Sequence, residues 1–330
     1  MKIRANGLDI EVEDTGSGWG AGPASGGDYR PAVLLIMGLG MQLIAWPADF
    51  VQALVDAGYR VIRFDNRDAG LSQHLDALGK PNLVWQSVRF KLGLAPHAPY
   101  SLNDMAADAL GVLDALGISH AHVVGVSMGG MIAQRVALTA PDRVLSLISI
   151  MSTSSAKGLP QPRPDVMRAL LSRPANKSQQ AVVEHSVKIF KLIGSPAYPI
   201  PEPELRTQVL QAVERSCYPV GTLRQMLAVM ADVTRAHQLS LITAPTLVLH
   251  GKADPLVPYA CGEDTARRIP DAKLVGIEGM GHNLPPGPVA QILAALIPHL
   301  RVADYQALNR TPLSARLRAT HPPIEAPTTS

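Results

Sequence analysis

The stretch VVGVSMGGMIAQ, Val123 to Gln134, opens as a β-branched run and closes on small and helix-forming residues. A buried strand passes into a helix here almost without a loop, and Ser127 stands at the junction. Gly125, Gly129 and Gly130 mark a crowded turn, because a residue without Cβ tolerates the closest backbone approach. Crowding alone does not require a serine at 127. Its purpose has to be read from the rest of the chain.

Working outward, AHVVGVS (121–127) reads as a strand, MGGMIAQRVALTAP (128–141) as a helix and VLSLISIMS (144–152) as the next strand. Upstream, GLDIEVED (7–14) alternates with near period two, as an early antiparallel strand does. AVLLIMG (32–38) and YRVIRFD (59–65) read as buried strands, and WPADFVQALVDAG (46–58) as a helix closed by glycine. SLNDMAADALGVLDALG (101–117) starts a helix at Ser101, with Asp104 placed for a capping box. Apolar strands alternating with helices require a mostly parallel sheet covered on both faces, an α/β fold.

From about 153 to 240 the rhythm changes. Strand-like runs vanish, prolines punctuate the chain, and helical stretches such as QQAVVEHSVKIFKLIG (179–194) and GTLRQMLAVMADVTRAH (221–237) appear. APTLVLHG (244–251) and AKLVGIEGMGHN (272–283) restore the strands, and GPVAQILAALIPHLRVA (287–303) closes with a helix. The expected organisation is a core in two parts, 1–152 and 241–303, with a helical cap at 153–240 and a mobile tail at 304–330. An insert placed this way lies over the carboxyl ends of the strands, where open α/β sheets bind ligands.

The 330 residues are 47% hydrophobic and 17% charged, with a net charge of +3 and the signs interspersed. No basic run is dense enough to track nucleic-acid phosphates or an anionic membrane. Cys217 and Cys261 are expected as two buried free thiols rather than a disulfide, and no Cys/His cluster suggests a metal. The N-terminus lacks the apolar core of a signal peptide, and the longest apolar runs fall far short of the roughly 20 residues a membrane span needs. A cytoplasmic protein, monomeric or a small homo-oligomer, is expected.

G-x-S-x-G between a buried strand and a helix is the pattern of a nucleophile elbow, which lifts the serine hydroxyl above the sheet edge. Gly125 and Gly129 leave room for the turn, and the Met128 N–H at the helix start can stabilise an oxyanion. A serine hydroxyl needs a base, and the base an orienting acid. LVLHGKADPLVP supplies Asp254 in a loop after one buried strand; GIEGMGHNLP supplies His282 in a loop after another. Taken singly, Asp254 reads equally well as a turn aspartate and His282 as a solvated loop histidine. The order serine, acid, histidine is what gives them a joint reading.

These segments, with LLIMGLGMQLIAWP (34–47) and VIRFDNRDAGLS (61–72), resemble those of the α/β-hydrolase fold family over residues 1 to about 303. Within it the chain is most similar to serine carboxylesterases of the anthracycline methyl esterase group. The resemblance implies that Leu39 gives a second oxyanion N–H, with Met37 standing where many relatives carry histidine. It also implies that Asp65, Arg67, Gly70 and Ser72 organise a supporting loop, Arg67 through bidentate pairing.

The resulting expectation is a cofactor-free serine hydrolase cleaving small-molecule carboxylic esters through an acyl-enzyme. Short to medium acyl groups, about C2 to C8, are expected beneath cap residues Ile189, Leu223, Met226, Leu227 and Met230, since each buried methylene adds only about 0.8 kcal/mol. The same apparatus serves C–C bond hydrolases, thioesterases, lactonases and perhydrolases, and a non-catalytic binding protein on this fold is the reading from another class. Trp46 and Trp85 are expected in core or cap packing.

Overall fold

A computed structural model describes residues 1–16, 30–82 and 96–310, together with 85, 86, 88, 89, 92 and 94. The strands are β1 (Lys2–Ala5), β2 (Leu8–Asp14), β3 (Ala32–Ile36), β4 (Arg60–Phe64), β5 (Ala121–Val126), β6 (Val144–Ile150), β7 (Thr246–Gly251) and β8 (Lys273–Ile277). They form one sheet in the order β1-β2-β4-β3-β5-β6-β7-β8. The β1–β2 and β2–β4 pairings are antiparallel and every other pairing is parallel. The chain thus has the expected α/β architecture, extended by β1, a short edge strand that sequence patterning missed.

The helices are α1 (Ala48–Asp56), α2 (Leu102–Ala115), α3 (Met128–Thr139), α4 (Pro164–Leu171), α5 (Gln179–Ile193), α6 (Glu202–Arg215), α7 (Pro219–Ala231), α8 (Arg235–Gln238), α9 (Tyr259–Arg268) and α10 (Pro286–Arg310). Successive side chains of a strand point to opposite faces, so each apolar strand feeds two cores. Leu34, Ile36, Ile62, Val123 and Leu147 face α2 and α3 on one side. Val33, Leu35, Val61, Val124, Ile148 and Leu249 face α1 and α10 on the other. At roughly 1.5–3 kcal/mol per fully buried aliphatic side chain, these layers are the main stabilising term.

Local signals act where they were read. Asp104 N–H donates to Ser101 Oγ at 3.2 Å and Ser101 N–H donates to Asp104 Oδ2 at 2.8 Å, closing the capping box of α2. Helices α4 to α8 lie between β6 and β7 with no strand among them.

Three expectations need correction. Helix α10 does not stop at 303: Asp304 accepts hydrogen bonds from Tyr59 Oη at 2.9 Å and binds His122 Nε2 at 3.0 Å, which ties the helix end to the sheet and carries it to Arg310. The rest of the expected tail, 311–330, lies outside the described residues. Both cysteines are free, but Cys217 is exposed between α6 and α7, and only Cys261 is buried. Trp46 packs on Phe50 in the core, ring centroids 5.1 Å apart, whereas Trp85 is 58% exposed.

Candidate active site

Ser127 sits between β5 and α3 with φ 55° and ψ −121°, a conformation that costs a non-glycine residue on the order of 1–3 kcal/mol. The surroundings enforce it. Ser127 N–H donates to Ile150 O at 2.9 Å, and Ser152 Oγ donates to Ser127 O at 2.7 Å. A Cβ at Gly125 would run into the Gly129 carbonyl, and one at Gly129 into the Ile36 carbonyl. Gly130 is as tightly held, since its Cβ would lie 2.6 Å from Ser152 Cβ.

Two loops from the carboxyl ends of β7 and β8 bring Asp254 and His282 to this serine. His282 Nε2 is 3.0 Å from Ser127 Oγ, and His282 Nδ1 is 2.7 Å from Asp254 Oδ2. Asp254 Oδ1 accepts the N–H groups of Leu256 at 2.9 Å and Val257 at 2.8 Å. Asp254, its side chain wholly buried, therefore offers its remaining oxygen to the imidazole. This network assigns the proton to Nδ1 and leaves Nε2 free to accept from the serine hydroxyl. The three residues singled out by sequence converge within hydrogen-bonding range.

Leu39 lies in the turn after β3, and Met128 begins α3. A Cβ at Gly38 would lie 3.2 Å from Ser127 Cβ, so this turn rests directly against the serine. Neither the Leu39 nor the Met128 N–H meets an acceptor among the described residues. The positive end of α3 adds to the Met128 donor.

The 65–72 loop supports that turn from below. Asp65 Oδ1 accepts Leu43 N–H at 2.7 Å, and Oδ2 accepts Leu71 N–H at 2.8 Å and Arg215 at 2.7 Å. Arg67 pairs bidentately with Asp108 at 2.6 and 2.7 Å. Ser72 Oγ donates to Asp65 O at 2.6 Å, and Gly70 has φ 55° beside the Asp65 carboxylate. Asn66 Nδ2 donates to Met37 O at 2.9 Å, so the loop also holds the strand end at Met37.

Sequence reasoning missed the contacts that the helical insert makes. His282 N–H donates to Ile193 O at 2.7 Å and Gly281 N–H to Ser195 Oγ at 2.9 Å, while Ser195 Oγ donates to Asn283 Oδ1 at 2.6 Å. Nothing in the local pattern around Ser195 announces a partner 88 residues away. His250 was also missed. Wholly buried beside Asp254, it donates from Nε2 to Val257 O at 2.7 Å, and its Nδ1 has no partner.

Burial is the main cause that pushes His250 below the usual histidine range, outweighing the nearby Asp254 carboxylate. The unfolded chain then takes up a proton that the folded protein refuses. Stability is full above the ordinary histidine value of roughly 6.5 and is lost as pH falls below it. The thermal midpoint is expected to drop between pH 7 and 5, and His250→Gln to make that drop shallower. An unchanged slope in the variant would remove His250 from this role.

Residues 31–286 match the model of the α/β hydrolase fold, and the chain belongs to that family. It is 33% identical to the rhodomycin D methylesterase of Streptomyces peucetius, over 82% of this chain and 91% of the relative. It is equally similar to the rhodomycin D methylesterase of Streptomyces sp. strain C5, with 33% identity over the same shares. Among solved structures, a meta-cleavage product hydrolase from Pseudomonas fluorescens superposes with a TM-score of 0.67 at 18% identity, covering 92% of this chain and 98% of that one. An enol-lactonase from Burkholderia xenovorans gives 0.62 at 19%, covering 93% and 100%. Among the described residues no group of His, Cys, Asp and Glu is set to hold a metal, and no helix is long and apolar enough to cross a membrane.

Proposed function

We propose that the protein is a serine hydrolase that cleaves small carboxylic esters, with Ser127 as nucleophile, His282 as base and Asp254 as the acid that orients it. The observation that carries this reading is the unbroken relay from Ser127 Oγ through His282 to Asp254, at 3.0 and 2.7 Å. Ser127 Oγ attacks the ester carbonyl carbon as His282 Nε2 takes its proton. The carbonyl oxygen becomes an oxyanion and is held by the Leu39 and Met128 N–H groups. The tetrahedral intermediate collapses, His282 gives its proton to the leaving alkoxide, and the alcohol departs. Water, deprotonated by the same imidazole, then attacks the acyl-enzyme; collapse of the second intermediate returns the proton to Ser127 and releases the acid.

Residues 153–240 act as a cap in this reading. The support is their direct bonding to the histidine loop and the turn at Gly40. Leu227 is fully buried, and Leu223, Met226, Met230 and Ile189 are partly buried on the same insert. They favour short to medium acyl groups, C2 to C8, because overpacking readily cancels the gain of about 0.8 kcal/mol per buried methylene. The methylesterase names of the two relatives favour a small alcohol as leaving group.

A fluorophosphonate is expected to label Ser127 and to stop hydrolysis of p-nitrophenyl and methyl esters together. Across p-nitrophenyl esters of two to sixteen carbons, kcat/KM should peak at or below eight carbons; a clear optimum at twelve or more would overturn the acyl-size reading. A histidine base works only when neutral, so kcat/KM should fall toward acid pH. A flat profile from pH 5 to 9 with chemistry limiting would contradict the assigned base.

A further inference from the structure

The oxyanion turn is not held by the sheet alone. Its Met37 carbonyl is fixed by Asn66, and its Gly38 carbonyl accepts Met41 N–H at 3.2 Å. The peptide that follows Leu39 is held from the helical insert: Gly40 N–H donates to Gln225 Oε1 at 2.8 Å. Gln225 lies on α7, is 0% exposed, and donates from Nε2 to Arg67 O at 2.7 Å. One amide thus joins the turn carrying Leu39 to the loop beneath it, using its acceptor on one and its donor on the other.

The packing leaves this amide little freedom. Gly40 has φ 65°, and a Cβ there would lie 2.8 Å from Thr222 Oγ1, so the first turn of α7 lies flush on the turn. A Cβ at Gly221 would run into the Asp68 carbonyl, and the neighbouring Arg224 is paired with Asp68 at 2.8 and 2.9 Å. The start of α7, up to Gln225, is therefore fixed against both the Gly40 turn and the 65–72 loop.

We propose that Gln225 is a positioning residue for the oxyanion: by holding the Leu39–Gly40 peptide it fixes the turn in which the adjoining Gly38–Leu39 peptide aims the Leu39 N–H. Gln225 touches no reacting atom in this reading and acts through the turn. The inference rests on the proposed role of Leu39 as oxyanion donor. Removing one oxyanion donor outright costs about 10²–10³-fold in kcat. Loss of aim rather than of the donor is expected to cost less, about 10- to 100-fold.

The test compares Gln225→Met, which keeps the shape but removes both hydrogen bonds, with Gln225→Glu, which keeps an oxygen for Gly40 N–H. Folding is checked first by far-UV circular dichroism and the melting midpoint. On p-nitrophenyl butyrate, Gln225→Met should lose 10- to 100-fold in kcat with KM within about threefold, and a trifluoromethyl ketone inhibitor should weaken by a similar factor. Gln225→Glu, which keeps the acceptor for Gly40 N–H but gives up the bond to Arg67 O, should lose less than tenfold in kcat. A folded Gln225→Met with kcat within threefold, or a loss confined to KM, overturns the proposal. Should Gln225→Met not fold, Gln225→Glu decides alone, and a tenfold kcat loss in the folded Glu variant overturns it. Ser127→Ala is run beside them: turnover surviving there sinks the hydrolase assignment itself, whereas a dead Ser127→Ala beside an unaffected Gln225→Met sinks only this inference.

Discussion

Ser127→Ala is expected to abolish ester turnover, lowering kcat on the order of 10⁴-fold or more. The substitution removes only the Oγ atom that stands 3.0 Å from His282 Nε2. Alanine has the same Cβ as serine, so the φ of 55° at this position is no harder to hold. The main-chain bonds of residue 127, to Ile150 O and from Ser152 Oγ, Gly130 N–H and Met131 N–H, do not involve the lost atom. The melting midpoint should therefore be unchanged or slightly raised, as is common when a strained active-site group is removed. What survives is binding and the proposed Leu39 and Met128 donors, which would polarise a carbonyl but supply no nucleophile. Steady-state kinetics on p-nitrophenyl acetate, with the midpoint taken in parallel, make the check; activity within tenfold of the parent removes Ser127 from its assigned role.

The largest expected effect on stability is at Arg224. Its guanidinium and the Asp68 carboxylate are both wholly buried. It meets Asp68 at 2.8 and 2.9 Å, donates to Gly79 O at 2.7 Å and to Tyr218 Oη at 2.7 Å. Arg224→Met keeps much of the volume and leaves Asp68 without its cation, a change that costs about 3–5 kcal/mol in buried pairs. The pH dependence identifies the cause. Burial pushes the Asp68 carboxyl up, but hydrogen bonds from Arg224 and from Leu75 N–H outweigh it and hold the group below the ordinary aspartate value. In the parent, Asp68 therefore contributes stability above the unfolded-state pKa, and that contribution is lost as pH falls. In the variant, burial acts with less opposition and raises the carboxyl, so protonation relieves the penalty. The gap between parent and variant midpoints should be wide at pH 8 and narrower at pH 5. A gap that is small, or constant with pH, would mean the pair is not what holds α7 to the 65–72 loop.

The sheet and the candidate triad were legible because their signals are local. Gly125 and the β-branched run before Ser127 report a turn whose tightest contact at Gly125 is Gly129, four positions on, while the Gly129 contact with Ile36 comes from the neighbouring strand. Asp254 and His282 could be placed because each follows an apolar strand, and parallel strands deliver their carboxyl ends to one edge. What escaped notice depends on partners remote in sequence. Gln225 meets Gly40 across 185 positions and Arg67 across 158. The extra length of α10 rests on His122 and Asp304, 182 apart. Strand β1 was missed for a different reason: KIRA is four residues of mixed polarity, and its pairing with β2 decides its conformation. Cys217 was expected to be buried, as free thiols commonly are, but it is exposed in the 216–218 link between two helices.

The helical insert bonds the main chain of each of the three loops that carry Leu39, Asp254 and His282. Gly40 N–H donates to Gln225, Arg163 N–H donates to Pro255 O at 2.9 Å beside Asp254, and His282 N–H donates to Ile193 O. An insert transplanted from another member of the family would have to reproduce all three attachments before it could bring its own substrate preference. Chimeras that exchange 153–240 as a block are thus predisposed to lose rate rather than to change selectivity. Altered selectivity is better sought by substituting insert side chains while Arg163, Ile193 and Gln225 stay in register.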